Sequence, residues 1–331
     1  MIKPKFGCIG ITEECMLRCK MCYKWQDDIF IKKSDINTFP TVEQYMAFFK
    51  SLSEIVDKDF VLNFGGGETL LFPQICEVLK AAFECGLWTN LNSNGYLINE
   101  DFARRLGQTG LFSINLSLDS INPVTHDYLR GVDGVYKRTL QAIDNLHKFA
   151  PNVEIDLISV IYEQNYREFI PLMEWINHNE KIKQVLVMMP MQPNNTIPEE
   201  RWWEGKYGFL WPKDIKKALN LVNELIQMKK NSYKISNSIA QLKAAYNYFA
   251  NPERFVKSTV CNMYKAIHIS SIGEIYICFE YGVLGNIKNN GDIKSILSSQ
   301  KAELVRAKIK NCKKNCHFLM NCYFEEDEKT G

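Results

Sequence analysis

The sequence predicts an α/β fold: a partial (β/α)6 TIM-like barrel followed by a small C-terminal domain made of a β-hairpin and a helix. Up to Pro190, six short runs rich in β-branched and aromatic residues alternate with longer amphipathic runs. Such alternation predicts parallel strands joined by right-handed helical crossovers. Beyond Pro190 the alternation stops, and a hairpin pattern and a dense group of cysteines follow. We therefore expect the active groups on the loops at the carboxyl ends of the barrel strands.

Each element of the barrel is predicted from its hydrophobic period. Short apolar runs predict the strands, namely KFGCIGIT, FVLNF, LWTNLNS, LFSINLSL, VEIDLISVI and IKQVLVMMP. Apolar residues at helical spacing predict the intervening helices, which cover residues 41–56, 72–86, 99–110, 134–149 and 166–179. Strand and helix thus follow one another in regular order.

The remainder of the chain has a different organisation. An irregular segment rich in proline and tryptophan precedes two helical stretches, at 213–230 and 237–250. The run KAIHISSIGEIYICFEYG then predicts a β-hairpin that turns at Ile272–Glu274. We divide the chain into three parts: a barrel core over residues 1–212, a helical connector over 213–255 and a C-terminal domain over 256–331.

Composition limits the possible partners. Lys and Arg total 40 against 38 Asp and Glu, so the formal net charge is +2 and nothing suggests a nucleic acid partner. No apolar run approaches the ~18–20 residues that cross a bilayer, which argues against a membrane partner. The N-terminus lacks the long apolar stretch of an export signal. We therefore expect a cytoplasmic protein.

The 11 cysteines argue for metal binding rather than for disulfides, because the count is odd and no export signal is present. Three cysteines, Cys8, Cys76 and Cys85, lie in apolar or helical context and are expected to be core residues. The other eight form two groups, and they are the predicted metal ligands: Cys15, Cys19 and Cys22, and then Cys261, Cys278, Cys312, Cys316 and Cys322.

The first group, in CMLRCKMC, directly follows the first predicted strand. Three thiolates from one short loop can hold three irons of a four-iron cluster and leave the fourth iron open for a ligand. A zinc site with a remote fourth ligand is the alternative from spacing alone.

CMLRCKMC resembles the CxxxCxxC loop of the radical S-adenosylmethionine (SAM) enzymes. This resemblance implies a [4Fe–4S] cluster whose open iron binds SAM. It also implies reductive cleavage of SAM to a 5′-deoxyadenosyl radical, which abstracts hydrogen from a substrate. A flavodoxin- or ferredoxin-type electron donor is implied as well.

NFGGGETLL resembles the GGEP segment of the same family. The resemblance assigns Gly66, Gly67 and Glu68 to the SAM amino group, and physical chemistry agrees. Glycine lets the backbone approach a ligand closely, and a carboxylate pairs with an ammonium. Thr69 stands where the family usually has proline, so this turn is expected to be less rigid.

Polar residues at the ends of the next two strands continue the resemblance. Asn94 in NSNG matches the family's TNG segment, either as a simple tight turn or as a direct ligand contact. Ser117 and Asp119 in the SLD motif are positioned to reach the SAM ribose or carboxylate. None of these residues is assigned a catalytic role.

Two arginines compete as the partner of the SAM carboxylate. By its distance from the SLD motif, Arg138 matches the arginine of sulfatase-maturing relatives and is preferred. Arg130 is the rival, with fixing of the loop as its alternative role. His126 and Asp127 are interpreted as loop-ordering and helix-capping residues.

Apolar side chains are expected beside the adenine of SAM. Val160, at the end of the fifth strand, matches such a position in the family, and core packing is compatible with it. Met21 stands where most relatives carry an aromatic residue, which a polarisable thioether can replace. Tyr23 or Trp25 could assist there.

The second cysteine group resembles the SPASM or twitch extension of radical SAM enzymes. The match consists of Cys261, Gly273 and Cys278 and of the later run CKKNCHFLMNC. Five thiols support one auxiliary [4Fe–4S] cluster, held firmly by Cys261 and Cys278. The sequence leaves open which residues complete it among Cys312, Cys316 and Cys322. A zinc site is the alternative here too.

The function predicted from this resemblance is a radical SAM enzyme that oxidises or cross-links a peptide or protein side chain. A small carbohydrate-like metabolite is the alternative substrate. A non-catalytic zinc scaffold is the alternative of another class. The aromatic segment RWWEGKYGFLW either lines the substrate opening or packs as a connector, and the sequence does not decide between the two.

Overall fold

The computed structural model describes residues 2–22, 38–193, 196, 199–289 and 292–326. Its centre is a wall of six parallel strands: β1 (Phe6–Thr12), β2 (Val61–Gly66), β3 (Trp88–Ser93), β4 (Ser113–Ser117), β5 (Glu154–Val160) and β6 (Gln184–Met188). Helices connect them: α1 (Val42–Ser53), α2 (Ile75–Glu84), α3 (Glu100–Gly107), α4 (Pro123–Arg130), α5 (Val135–Phe149) and α6 (Phe169–His178). The predicted α/β fold, a partial TIM barrel, is confirmed.

The remaining elements lie in the connector and the C-terminal part. They are α7 (Ile215–Lys230), α8 (Ile239–Ala250), β7 (Ala266–Ile269), β8 (Glu274–Tyr276), β9 (Gly285–Asn286), α9 (Ile293–Ser298) and α10 (Gln300–Asn311). The predicted hairpin is present as the antiparallel pair β7 and β8.

Helix α4 is an addition to the predicted elements. Asn122 caps its first turn by accepting a hydrogen bond from the Val124 amide, and Pro123 opens the helix. Gly131 ends it with a φ of 70°, the left-handed conformation that favours glycine. Helix α4 was not among the predicted elements, although its cap, its proline and its glycine are sequence signals for a helix.

The C-terminal hairpin extends the barrel sheet and does not stand apart from it. The strand order is β6-β5-β4-β3-β2-β1-β7-β8-β9, a single nine-stranded sheet. Strand β7 pairs in parallel with β1, the outer strand of the barrel wall, with Cys8 in register with His268. Because a partial barrel leaves the edge of its first strand open, this pairing satisfies backbone groups that would otherwise be free.

The two faces of the barrel wall differ in exposure. Residues that face the helices are fully buried, for example Ile9, Leu91 and Leu157, each with 0% exposure. Several of their neighbours that face the interior are half-buried, for example Asn92 and Ile158, although Asn90 and Asp156 on the same face are buried. The interior of the barrel therefore admits solvent, whereas the layer between strands and helices is a packed core.

The aromatic segment after the barrel packs as a connector. Trp202 and Trp211 are 6% and 7% exposed, and their ring centroids lie 5.6 Å apart. Trp211 also contacts Tyr248 and Phe249 of α8, with centroids 5.2 Å away in both cases. These two tryptophans thus anchor α8 to the end of the barrel.

The last described segment bridges both edges of the barrel wall. The Asn321 side chain accepts a hydrogen bond from the Met189 amide at 2.8 Å and donates one to the Met189 carbonyl at 2.9 Å, just after β6. Tyr323 stacks on Phe6 of β1 with a centroid distance of 5.7 Å. The C-terminal segment therefore spans the open side of the partial barrel. None of the helices in the described part of the chain combines the length and apolar character that a membrane span requires.

Candidate active site at the cysteine loop

Cys15, Cys19 and Cys22 lie on the loop that directly follows β1, at the carboxyl end of the barrel wall. All three are free thiols and half-buried. The Cys22 amide donates a hydrogen bond to the Cys19 carbonyl at 3.1 Å, which closes a tight turn between them. We refer to residues 13–22 as the cysteine loop.

The glycines after β2 brace the cysteine loop from one side. The Gly67 amide donates to the Thr12 carbonyl and the Glu68 amide to the Glu14 carbonyl, both at 2.7 Å. A Cβ added at Gly67 would lie 2.0 Å from the Glu14 carbonyl oxygen, and one at Gly66 would lie 2.3 Å from that of Thr12. Only glycine lets the two backbones approach this closely.

A methyl group at Gly67 should therefore displace the loop. We expect Gly67→Ala to lower the free energy of unfolding by about 1–3 kcal/mol, as overpacking does, and to lower the iron content of reconstituted protein. Gly134→Ala is the control, because φ is +81° there but a Cβ would meet nothing within 4 Å. The control should lose some stability and keep its iron. Equal iron content in both variants would show that Gly67 does not hold the cysteine loop in place.

The Glu68 carboxylate ties the brace to the end of β3. It is 1% exposed and accepts hydrogen bonds from the Ser93 hydroxyl at 2.7 Å and from the Asn94 amide at 2.8 Å. The Leu70 amide is a third donor, at 3.2 Å. Burial raises the pKa of Glu68, and these hydrogen bonds oppose the rise. Its contact with the SAM amino group stays a prediction.

Asn94 combines a turn with a contact to the cysteine loop. Its side-chain oxygen accepts a hydrogen bond from the Tyr96 amide at 2.9 Å, and Gly95 follows with a φ of 77°. Its Nδ2 lies 3.4 Å from Met16 Sδ and 3.9 Å from Cys15 Sγ. The end of β3 therefore supports the loop directly.

The C-terminal turn of α4 braces the loop from the other side. The Arg18 amide donates to the Arg130 carbonyl at 3.2 Å, and the Lys20 amide donates to the Leu129 carbonyl at 2.9 Å. A Cβ at Gly131 would lie 2.0 Å from the Arg18 carbonyl oxygen. The cysteine loop is thus clamped between α4 and the ends of β2 and β3.

A buried ion pair completes this clamp. Arg130 and Asp119 lie 2.7 Å apart, and their side chains are 10% and 0% exposed. Burial raises the pKa of Cys19, and the charge of Arg130 and its hydrogen bond to the thiol oppose the rise. Burial alone would lower the pKa of Arg130, but Asp119 and Cys19 outweigh it. Arg130 therefore holds the loop.

Arg138 lies away from this clamp. It is exposed on α5, and its guanidinium carbon is 5.5 Å from the centre of the Tyr96 ring. Its pairing with the SAM carboxylate stays a prediction. Asp119 is predicted to reach SAM. One of its carboxylate oxygens accepts a hydrogen bond from the Val160 amide at 3.0 Å, in addition to the ion pair with Arg130. Both of these Asp119 contacts are thus internal to the protein.

The other predicted residues around the loop take these positions. Met21, Ser117 and Val160 are half-buried at the same end of the barrel. Their contact with SAM stays a prediction.

His126 Nδ1 accepts a hydrogen bond from the Asp119 amide at 3.2 Å, which confirms its loop-ordering role. Asp127 accepts from the Gly134 and Tyr136 amides at 2.6 and 2.7 Å, which confirms its capping role at α5. Tyr23 and Trp25 lie outside the described residues.

The thiols of the second cysteine group influence one another electrostatically. Burial, with smaller contributions from nearby Cys316 and Cys312, raises the pKa of Cys261 to about 12. Burial does the same for Cys278, with Cys316 and Cys261 contributing. These four thiols therefore lie near one another.

Cys322 has a different neighbourhood. Burial raises its pKa, and the thiols that act on it are first Cys8 of β1 and then Cys316. The predicted core cysteines Cys8, Cys76 and Cys85 are all partly buried and pack against the hydrophobic core.

The residues present fit the predicted clusters by their donor chemistry. Both groups offer free thiols, which are the ligands of iron–sulfur clusters. Within the described residues, no three Cys, His, Asp or Glu side chains converge closely enough to bind one metal ion. A four-iron cluster gives each cysteine its own iron. The close backbone approach at Gly66 and Gly67 matches the glycine turn predicted beside the cofactor.

Polar residues on the inner face of the barrel were not singled out from the sequence. They include Asn92 and Asn115, which bond to each other through Asn115 Nδ2 and Asn92 Oδ1 at 2.7 Å. The available signal was the spacing of two positions between Asn90 and Asn92 in TNLNS, and between Ser113, Asn115 and Ser117 in SINLS. A strand with apolar residues on one face and amides on the other predicts a wet interior.

Comparison with known families and proteins is consistent with this geometry. The sequence model of the radical SAM superfamily matches residues 9–176, about half of the chain. That of the SPASM iron–sulfur cluster-binding domain matches residues 261–323. The two matches cover the two cysteine groups.

Curated relatives carry several names. The chain is 29% identical over 176 residues to an Fe-coproporphyrin III synthase of Methanosarcina barkeri, covering 53% of this chain and 41% of that protein. It is 24% identical over 303 residues to a GTP 3′,8-cyclase of Peptoclostridium acidaminophilum, covering 87% and 86%. The match thus spans about two fifths of the Methanosarcina protein and most of the cyclase.

Solved structures share the fold. Streptococcus suis SuiB bound to SAM superposes with a TM-score of 0.69 at 17% identity, covering 93% of this chain and 68% of SuiB. The protein anSMEcpe with bound SAM superposes with a TM-score of 0.67 at 19% identity, covering 96% and 88%. The chain belongs to the radical SAM superfamily and carries a SPASM-type iron–sulfur domain, so it is an enzyme whose cofactors are SAM and [4Fe–4S] clusters.

Proposed function

We propose that this enzyme modifies a side chain of a peptide or protein by oxidation or cross-linking. The observation that carries the proposal is the polar inner face of the barrel wall, where Asn92, Asn115 and Ile158 are half-buried, on strands whose carboxyl ends carry the clamped cysteine loop. Hydrogen-atom abstraction is the chemistry that SAM and the first cluster supply when bound. The fold neighbours SuiB and anSMEcpe have been solved with peptides, which supports a peptide substrate.

In this proposal, each cysteine group has one task. Cys15, Cys19 and Cys22 hold the SAM-binding cluster, with Gly66, Gly67, Glu68 and Asn94 beside the cofactor. Cys261, Cys278, Cys312 and Cys316 hold one auxiliary cluster, because their thiols act on one another electrostatically. Cys322 is left out of this set, since Cys8 is its foremost neighbour.

The roles of the protein groups are binding and exclusion. The clamp around the loop keeps the thiolates in fixed positions, which lowers the cost of ordering them at each turnover. The C-terminal segment closes the open side of the barrel through Asn321, so substrate reaches the interior from the end that carries the loop. A flavodoxin- or ferredoxin-type donor is proposed as the source of electrons.

A small metabolite is the second candidate substrate. The observation that favours it is the match to the GTP 3′,8-cyclase, which extends over 87% of the chain. The carbohydrate-like alternative from the sequence belongs to this class.

The test is anaerobic reconstitution with iron and sulfide, followed by reduction with SAM present. We expect about eight irons per chain for two four-iron clusters and release of 5′-deoxyadenosine. Incubation with a synthetic peptide library should then yield peptides that have lost two hydrogens, detected by mass spectrometry. Turnover of nucleotides or sugars but of no peptide would favour the second candidate. A colourless protein with stoichiometric zinc and no SAM cleavage would reject both.

A further inference from the structure

A layer of polar side chains crosses the interior of the barrel, and we infer that it is a substrate-recognition subsite with Asp156 as its acceptor. We call it the lumen layer, and it consists of Asn92, Asn115, Asp156 and Gln184. It would take a hydroxyl, amide or ammonium group of the substrate and reject a carboxylate. The inference deepens the proposed function and rests on it for the reaction.

The strand register places these four residues side by side. Asn92 is paired with Asn115, Asn115 with Asp156, and Asp156 with Gln184. Laterally paired residues of parallel strands project to the same face of the sheet. Two side-chain bonds confirm it: Asn115 donates to Asn92 at 2.7 Å, and Gln184 Nε2 donates to Asp156 Oδ2 at 3.2 Å.

Asp156 is left with an unused acceptor. Asp156 is only 7% exposed, and within the described residues its Oδ1 has no hydrogen-bond partner. Two charged groups influence the pKa of Asp156: Glu154, two positions earlier on β5, and Lys183, just before β6. Lys183 forms an ion pair with Glu154 at 3.2 Å. Burial raises the pKa of Asp156 to about 6. A buried carboxylate without a full set of partners destabilises the fold, which marks it as a candidate for function.

Two glycines complete the lumen layer on the side of β1 and β2. Gly10 and Gly65 are paired there and add no side chain to the layer. A Cβ at Gly10 would meet nothing closer than 3.7 Å, and one at Gly65 would lie 3.3 Å from Asn92 Nδ2. Barrel interiors of this type are usually filled by bulky apolar residues. Amide side chains beside two glycines offer hydrogen-bonding groups to a polar ligand.

The lumen layer also lies close to the predicted cofactor contacts. Asn92 and Asn115 precede Asn94 and Ser117, the predicted cofactor contacts, by two residues on each strand. Two residues of a strand span about 6.6 Å. A substrate that reacts beside the cofactor could therefore extend a polar group into the lumen layer. Because Asp156 is an acceptor and negatively charged when ionised, a second carboxylate would be repelled.

The first test is stability of the reconstituted enzyme. The native pKa of Asp156 is raised, so its contribution to stability is present at low pH and is lost as pH rises from about 4 to 6. Asp156→Asn should therefore raise the unfolding temperature at pH 7.5 by a few degrees and remove part of the pH dependence between about pH 4 and 6. Asp144→Asn, an exposed carboxylate paired with Lys181, is the matched control and should change neither. A lowered unfolding temperature for Asp156→Asn would assign Asp156 a structural role only.

The second test is binding, and it needs no turnover. N-acetyl-serinamide and N-acetyl-asparaginamide should raise the unfolding temperature of the reconstituted enzyme, whereas N-acetyl-glutamate amide should not. Asp156→Leu should weaken this protection about tenfold or more, as loss of a hydrogen bond to a charged group does. Gly10→Val adds a side chain to the layer without replacing Asp156. It should abolish the protection by the two polar probes, which covers the case in which Asp156→Leu does not fold.

The outcomes separate this inference from the proposed function. Protection that is equal for all three probes, or unchanged in Asp156→Leu and Gly10→Val, overturns the subsite. Protection that follows the expected pattern supports the subsite even if no peptide is modified, and in that case only the peptide proposal falls. Iron content should remain in Asp156→Asn, because the lumen layer lies outside the cysteine loop.

Discussion

Cys19→Ala is expected to abolish reductive cleavage of SAM and to remove about four irons per chain from the reconstituted protein. Each cysteine of the loop supplies a thiolate to the first cluster, and the open iron has to remain free for SAM. Cys19 is the most informative of the three, because its thiol also bonds to Arg130. Iron counting and release of 5′-deoxyadenosine measure the effect. Cys15→Ala and Cys22→Ala should behave alike.

Two comparisons make this prediction specific. Cys76→Ala removes a partly buried thiol that belongs to α2 and packs against the core, and it should keep all iron and all cleavage. Cys261→Ala should lose the auxiliary cluster and substrate turnover and still cleave SAM. If Cys19→Ala retained its iron and its cleavage activity, the assignment of the cysteine loop would be wrong.

Arg130→Met is expected to lower the free energy of unfolding by about 3–5 kcal/mol, because it leaves Asp119 buried without its partner. The two side chains are 10% and 0% exposed and lie 2.7 Å apart. The same change removes the guanidinium that bonds to Cys19, so iron content should fall as well. Urea unfolding of the reconstituted enzyme under anaerobic conditions, with iron counting, measures both effects.

A surface ion pair provides the matched control for Arg130. Arg104 and Glu100 lie 2.8 Å apart with side chains 53% and 59% exposed, so Arg104→Met should cost at most about 0.5 kcal/mol. Arg130→Lys keeps the charge but loses the planar fork and should be intermediate. A cost for Arg130→Met no larger than that for Arg104→Met would show that the buried pair does not hold the loop.

Those residues of the candidate site that lie at strand ends could be predicted from the sequence. Glu68 and Asn94 lie at the carboxyl ends of neighbouring strands, which meet at one edge of a parallel sheet. Their shared hydrogen bond at 2.8 Å follows from that neighbourhood. The contrast between Arg130 and Arg138 was not predictable in the same way. Both are near the SLD motif in sequence, but the turn at Gly131 directs the end of α4 onto the cysteine loop.

The lumen layer illustrates a second limit. Alternating polar positions in the third and fourth strands indicated an amphipathic wall, and period-two reasoning could have found Asn92 and Asn115. The unused Oδ1 of Asp156 could not be found in this way. Whether a buried polar atom has a partner depends on side chains from β4 and β6, which are distant in sequence.

The sequence by itself determined the order of strands and helices, the two cysteine groups and the family, because hydrophobic period and motif spacing are local properties. The tertiary structure alone decided that the C-terminal hairpin joins the barrel sheet through β1 and β7. It also decided that Arg130, Gly67 and Asn94 clamp one loop, and that Cys322 lies near Cys8. These are long-range pairings, and they depend on which edges and surfaces the folded chain leaves open.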